Sequence, residues 1–150
     1  PSDLELEKAE KLLLEAGLIF KKNSGSEHPA ILNYLAKVLR DQGKFTEADR
    51  LFERTLAGVE KMRPPGHPDI ASVLVPYADS LEQQKEFAKA KLLAERGRGI
   101  QEKALRAEHP DLEETFEVLS RIYTELGDKE KAAEFQTRKK RITEARDGKD

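Results

Sequence analysis

The sequence repeats itself at a fixed interval of 42 residues. Residues 40–48, 82–90 and 124–132 are three versions of one motif, in which alanine follows the turn residue after five positions. A constant period of this length is typical of solenoids, because each unit buries its apolar face only by stacking on a neighbour. The sequence therefore predicts stacked repeats rather than one compact bundle.

The spacing within each repeat predicts helices. Apolar residues recur three and four positions apart, which is the spacing of one helix face. Pro29, Pro68 and Pro110 stand at predicted helix starts, where a missing backbone N–H costs nothing. We therefore expect one all-α domain over residues 1–150, an α-α superhelix of seven helices. Its predicted parts are an orphan helix (1–22), three helix–turn–helix repeats (29–61, 68–105 and 110–146) and a frayed tail (147–150).

The first helix matches the second helix of a repeat, so the chain is expected to begin half a repeat in. The interval of 19 residues from Ala9 to His28 equals the corresponding interval in the later repeats. This helix also carries more apolar residues than one neighbouring helix can cover. We expect the open surface to serve self-association through Leu14, Leu18 and Phe20, or docking on a further helix of the parent protein.

Composition limits the partners that the chain can have. Charged residues make up 37% of the sequence, yet the formal net charge is only −2 and the two signs are interspersed. This balance gives no electrostatic reason for a nucleic-acid or anionic-membrane partner. No apolar run approaches the roughly 20 residues that span a bilayer. The absence of cysteine is compatible with a cytoplasmic protein, and we expect a cytoplasmic chain whose partner is a protein or peptide.

No pattern in the sequence points to catalysis. His28, His67 and His109 each precede a proline at a predicted helix start, one repeat apart. Stacked helices lie about 10 Å apart, which is too far for these histidines to share one metal ion. There is no cysteine nucleophile and no glycine-rich phosphate loop. We therefore predict a non-enzymatic chain with no catalytic residue, metal or cofactor.

Four positions of each repeat resemble the tetratricopeptide repeat pattern. They are a small residue in the first helix, a turn glycine, an aromatic residue two positions later and an alanine in the second helix. The matching residues are Ala36, Ala78 and Ser120; Gly43 and Gly127; Phe45 and Phe87; and Ala48, Ala90 and Ala132. The 42-residue period and the His-Pro-Asp helix starts are similar to the kinesin-light-chain branch. The resemblance implies an architecture shared by scaffolds, co-chaperones, cargo adaptors and bacterial regulators.

The second repeat departs from this pattern at two positions. Lys85 stands where the turn glycine is expected, and Pro76 lies inside the predicted fourth helix. A proline there removes one backbone hydrogen bond at a cost of about 3 kcal/mol. The sequence therefore predicts a kink at Pro76.

The first helix of each pair is expected to line the inner wall of the stack, where repeat proteins bind. The predicted peptide-binding residues are Asn33, Tyr34, Lys37, Arg40, Val75, Asp79, Glu82, Glu117 and Arg121. They form a surface that is basic with an aromatic residue at one end and acidic at the other. The resemblance implies an asparagine that contacts the ligand backbone. Asn33 matches that position, whereas Val75 and Glu117 replace it in the later repeats.

The leading hypothesis is a protein-interaction module that binds an extended peptide or a helix in a concave groove. One alternative is a structural or oligomerisation segment of a larger scaffold, with no ligand of its own. Another is a regulatory module that covers a partner enzyme within the same polypeptide. Salt bridges among the inward-facing residues would favour the structural alternative, and an open channel with unpaired charges would favour binding.

Overall fold

The computed structural model describes residues 1–148, which contain seven α-helices and no strand. The helices are α1 (Asp3–Ser24), α2 (Pro29–Asp41), α3 (Phe45–Met62), α4 (Pro68–Gln83), α5 (Phe87–Ala104), α6 (Leu112–Glu125) and α7 (Lys129–Asp147). The all-α prediction is thus confirmed. In the predicted frayed tail, Asp147 is the last helical residue and Gly148 caps α7, while residues 149–150 lie outside the described part.

The histidines act as helix caps. The imidazole Nδ1 of His28 accepts a hydrogen bond from the backbone N–H of Ala30 at 3.2 Å. His67 accepts from Asp69 at 3.0 Å in the same way. These bonds satisfy N–H groups that have no partner within the first turn of a helix. The repeated histidine therefore has a structural role at the start of α2 and α4.

The turn between the two helices of each pair uses left-handed backbone at the same repeat position. The φ angles are 77° at Gly43, 64° at Lys85 and 83° at Gly127. A residue with a Cβ pays a conformational cost there that glycine does not. Lys85 therefore keeps the geometry of the turn although it lacks the residue type that favours it.

The contacts within the chain divide it into two compact units, Pro1–Pro64 and Pro65–Asp150. In the first unit α2 packs against both α1 and α3. In the second unit α4 packs against α5 and α6, and α6 also packs against α5 and α7. The proposal of a single domain over residues 1–150, with its five predicted segments, stays a prediction.

Small residues allow close packing within every helix pair. Four of the motif alanines, Ala36, Ala48, Ala78 and Ala90, are fully buried. In the third pair Ser120 takes the place of the first alanine, and its hydroxyl donates to the backbone carbonyl of Ala132 at 3.1 Å. The hydrogen bond satisfies the one polar group that this substitution buries. The two small-residue positions of the motif therefore lie where helices meet.

Candidate functional site

The exposed face of α2 presents an aromatic ring and a cation to solvent. Tyr34 is 59% exposed, although its neighbours Leu35 and Ala36 are buried. The Lys37 ammonium lies 5.1 Å from the centroid of the Tyr34 ring, within range of a cation–π contact. Arg40 donates from Nε to the Asp41 carboxylate at 3.0 Å. This face of the first unit thus combines apolar area with a positive charge.

Four of the predicted residues meet on the second unit, on α4 and α6. The Arg121 guanidinium lies 2.5 Å from the Asp79 carboxylate. It also lies 3.5 Å from a Glu82 oxygen and 3.9 Å from a Glu117 oxygen. Lys139 of α7 approaches Glu117 to 2.8 Å. Ion pairs therefore join the predicted residues. Such pairing is expected of a structural segment that has no ligand of its own.

The cluster combines three carboxylates with two cations. Three carboxylates (Asp79, Glu82 and Glu117) share the positive charges of Arg121 and Lys139. Burial raises the pKa of the Glu82 carboxyl above its ordinary value, although Arg121 opposes the shift. By contrast, the hydrogen bond from Lys139 lowers the pKa of Glu117. We call Asp79, Glu82, Glu117, Arg121 and Lys139 together the Arg121 cluster.

The two glutamates of the Arg121 cluster are expected to affect stability with opposite signs. Because folding raises the pKa of Glu82, its contribution is favourable below the unfolded pKa and is lost as the pH rises through the folded value. Because folding lowers the pKa of Glu117, its contribution is present above the unfolded pKa and is lost as the pH falls through the folded value. At neutral pH, Glu82→Gln should stabilise the protein and Glu117→Gln should destabilise it.

Urea unfolding at neutral pH and near pH 3, below the ordinary glutamate pKa of about 4.3, measures both effects. Each difference from the unsubstituted chain should be at most about 1 kcal/mol at neutral pH, because both side chains are partly solvated. Both differences should shrink in acid. A change of the same sign for the two variants at neutral pH would contradict the opposite pKa shifts.

The structure places Val75, another predicted site residue, away from solvent. Val75 is 3% exposed and lies against Gly97 of α5. Its neighbour Pro76 is fully buried, and α4 continues without interruption from Pro68 to Gln83. The side chain of Val75 therefore offers no surface to a ligand. The kink at Pro76 stays a prediction.

The apolar residues predicted for self-association line different parts of α1. Leu14 and Leu18 are 48% and 69% exposed. Phe20 is partly covered, because its ring meets the His28 ring edge-on with 4.7 Å between centroids. Leu12 is equally exposed but lies on the opposite edge of the helix. Open apolar surface therefore exists on α1 at two separate edges.

A network of ion pairs that the sequence analysis did not predict joins α5 and α7. Arg98 binds Glu95 at 2.7 Å and Glu102 at 3.0 Å, and Arg138 binds the same Glu102. Tyr123 donates its hydroxyl to Glu95 at 2.6 Å; burial, together with this bond, raises the pKa of the phenol. The spacing of Glu95, Arg98 and Glu102 by three and four positions is the sequence signal that indicates it.

The described residues show neither a metal site nor a membrane span. Between residues 1 and 148, no group of three or more histidine, aspartate or glutamate side chains is placed to hold a metal ion. Within the same range, no helix is both long and apolar enough to cross a bilayer.

Comparison with known proteins identifies the repeats. The sequence profile of the tetratricopeptide repeat matches residues 27–103, just over half of the chain. No curated protein shows significant similarity to the chain. A crystal structure of a Podosopora anserina protein assigned to the kinesin light chains, with nearly identical TPR-like repeats, is 28% identical to it. That match covers 94% of this chain and 68% of the other, with a TM-score of 0.76, and a single-residue variant of the same protein gives the same values.

A second solved structure shares the fold. BtubC (BKLC) from P. vanneervenii is 24% identical, and the match has a TM-score of 0.79. It covers 96% of this chain and 59% of BtubC, so this chain corresponds to about three fifths of that protein. The resemblance to kinesin-light-chain-like repeats and the repeat-solenoid fold, both predicted from the sequence, are confirmed by these comparisons.

Proposed function

Since the chain belongs to the tetratricopeptide repeat family and is thus a protein–protein interaction module, we propose that it binds a peptide or helix of its partner. The proposed contact surfaces are the exposed face of α2 and the Arg121 cluster. Repeats of this kind are typically non-enzymatic scaffolds, and no catalytic role is proposed. That the two surfaces line one concave groove remains a prediction.

The exposed ring of Tyr34 beside Lys37 carries this proposal. Tyrosine is enriched at protein interfaces, because its ring supplies apolar area and its hydroxyl can form a hydrogen bond. An ammonium group next to the ring can pair with a carboxylate of the ligand. The face of α2, with Asn33 and Arg40 beside these residues, therefore suits a peptide that places an acidic residue next to an apolar one.

The Arg121 cluster is suited to a positively charged group of the ligand. Burial raises the pKa of the Glu82 carboxyl, so a further cation close to Glu82 would favour its ionised form. A lysine or arginine of the partner would supply that cation. We therefore propose that α2 binds an acidic segment and that the Arg121 cluster binds a basic side chain.

A second function is favoured by two other observations. The ion pairs among Asp79, Glu82, Glu117 and Arg121 satisfy most of the charges on that face. The open leucines of α1 are available for self-association through Leu14 and Leu18, with Phe20 beside them. Together they support a structural, oligomerising or regulatory segment of a larger scaffold. A cytoplasmic location, without nucleic-acid or membrane partners, belongs to both proposals and is supported by the balanced charge.

A pull-down from a lysate of the source organism separates the two proposals. The Tyr34→Ala/Lys37→Glu variant should recover its partner at least about tenfold less than the unsubstituted chain, because it loses an aromatic contact and reverses a charge. Adding Arg40→Glu should deepen the loss. Lys61→Glu on α3 makes the same charge change away from the proposed surface and serves as the control.

The Arg121 cluster is tested in the same assay with Glu82→Lys. Its control is Glu134→Lys on the exposed side of α7. Circular dichroism melting shows whether each variant is folded. Equal recovery of every partner by all folded variants would remove the binding proposal and leave the structural one.

A further inference from the structure

An apolar cleft opens between α1 and α3 in the first unit, and α2 forms its floor. We call it the α1–α3 cleft. Its apolar lining includes Leu14 and Leu18 of α1, Leu35 of α2 and Leu51 of α3. Leu35 and Leu51 are buried at its base, whereas Leu14 and Leu18 stand exposed along one wall. Neither Tyr34 nor Lys37 lines it, so it is separate from the surface proposed above.

Ion pairs stand at the two ends of the α1–α3 cleft. At one end Lys44, which immediately precedes α3, meets Glu10 of α1 at 2.9 Å. At the other end Arg54 meets Glu27, which precedes α2, at 2.6 Å. From Glu10 to Lys21 the α1 wall is about 16 Å long at the rise of an α-helix. The opening between the ion pairs therefore accepts roughly three turns of a helix or a short extended segment.

The second unit shows what fills the equivalent space. The register of the repeat aligns Leu14 with Glu95, Gly17 with Arg98 and Lys21 with Glu102. Equivalent residues on the second wall are Arg54 and Arg138. In the second unit, Arg98 binds both glutamates and lies 5.5 Å from the Phe135 ring centroid, while Arg138 binds Glu102 and covers the Phe116 ring. Side chains of α5 and α7 thus bridge the two helices.

The first unit lacks the side chains that would make this bridge. Gly17 has no side chain at the position of Arg98, and Leu14 stands at the position of Glu95. Crowding does not require the glycine, because a Cβ there would lie 3.6 Å from Ile31, an ordinary contact. A hollow of about 180 Å³ adjoins Leu14, Gly17 and Leu18. A cavity of about 150 Å³ admits a benzene molecule, so an aliphatic side chain can enter this one.

The rim of the α1–α3 cleft has spare positive charge. Among the residues that the structure describes, neither Lys21 nor Arg50 lies within ion-pair distance of a carboxylate. Arg54 pairs with Glu27 in a solvent-exposed ion pair, which exchanges readily with another carboxylate. The equivalent position of the second unit has the carboxylate of Glu102, which the first unit replaces with Lys21. The first unit therefore lacks a carboxylate at this position, and a partner could supply one.

We propose that the α1–α3 cleft binds an amphipathic segment of a partner protein that carries two aliphatic side chains one helical turn apart, flanked by carboxylates. The aliphatic side chains cover Leu14 and Leu18, and the carboxylates pair with Lys21, Arg50 and Arg54. The partner thereby supplies the apolar bulk and acid that α5 and α7 supply for themselves in the second unit. This binding goes beyond the proposed role of α2 and the Arg121 cluster.

A titration followed by NMR tests the proposal on the whole chain. The probe is a synthetic helical peptide with leucines four positions apart and glutamates between them, and the control peptide has lysine in place of every glutamate. The glutamate peptide should shift the methyl signals of Leu14, Leu18, Leu35 and Leu51 and should bind at least tenfold more tightly than the lysine peptide. Equal affinities, or shifts confined to α2 or the second unit, would overturn the proposal.

Variants of the chain make the test specific. Leu14→Glu/Gly17→Arg introduces the pattern of the second unit and should abolish peptide binding while the fold is kept. Lys21→Glu changes only an exposed side chain and should weaken binding at least tenfold, so the proposal stays testable if the double variant unfolds. Leu12→Glu, on the opposite edge of α1, should leave affinity unchanged. Unaltered binding to Lys21→Glu would overturn the proposal.

Two further outcomes identify other occupants. If the chain alone forms a dimer that Leu14→Glu dissociates, a second copy occupies the cleft and the proposed partner segment is wrong. If Tyr34→Ala/Lys37→Glu abolishes binding of the glutamate peptide, the peptide binds the α2 surface instead. Retained binding by that variant supports a separate site, whatever the outcome of the pull-down.

Discussion

Phe116→Ala is expected to lower the free energy of unfolding by about 3–5 kcal/mol. Phe116 lies on α6 and is completely buried. Its ring stacks on Phe135 of α7 with 5.8 Å between centroids, and the Arg138 guanidinium lies 4.4 Å from its centroid. Truncation to alanine removes the buried apolar area, leaves a cavity and takes away the surface that Arg138 covers. It is the largest effect that we expect from a single substitution in the second unit.

Urea unfolding followed by circular dichroism measures this loss. Phe20→Ala removes the same ring from a site that is 36% exposed, and should cost about 1 kcal/mol or less. Phe116→Leu keeps most of the buried volume and should cost less than alanine. If Phe116→Ala were no more destabilising than Phe20→Ala, the ring could not be at the centre of a packed core.

Gly97→Ala is expected to be less stable than Gly99→Ala by about 1–3 kcal/mol, the usual cost of overpacking. Both glycines lie inside α5, so both substitutions gain the same helix propensity, about 1 kcal/mol. They differ in their surroundings. A Cβ at Gly97 would lie 2.9 Å from Cγ2 of Val75, which is too close, and Val75 has little rotamer freedom to move away.

The matched variant isolates this contact. A Cβ at Gly99 would meet nothing within 4 Å, so Gly99→Ala should raise the midpoint of urea unfolding. Gly97→Ala should lower the midpoint relative to Gly99→Ala. Equal midpoints would mean that α4 and α5 do not approach each other as closely at Val75 as the structure shows.

The period of the sequence predicts where the helices meet but not every contact they make. It places small residues where each pair of helices packs, and the turn at the same point in every repeat. Lys85 shows that position matters more than residue type, since it adopts the left-handed backbone that glycine adopts in the other turns. Asp79 and Arg121 are one period apart and form an ion pair, as equivalent positions on neighbouring helices should.

Contacts that depend on one repeat alone are not visible in the period. Val75 and Glu117 occupy equivalent positions, yet Val75 is buried because Gly97 allows α5 to approach α4 closely at that point. The α1–α3 cleft exists because Gly17 and Leu14 lack the length and charge to bridge two helices. Both features depend on short side chains that occur in one repeat alone, and the repeat pattern does not predict them.

The most direct test of the binding account is selection of a random peptide library on immobilised protein. The target is the Leu14→Glu/Gly17→Arg chain, in which the α1–α3 cleft is filled, so that the α2 surface and the Arg121 cluster remain. Selected peptides should carry an acidic residue beside an apolar one, and should bind at least about tenfold more weakly when Tyr34→Ala/Lys37→Glu is added. If the selected peptides bind the chain equally well with and without Tyr34→Ala/Lys37→Glu, the proposed α2 surface is wrong.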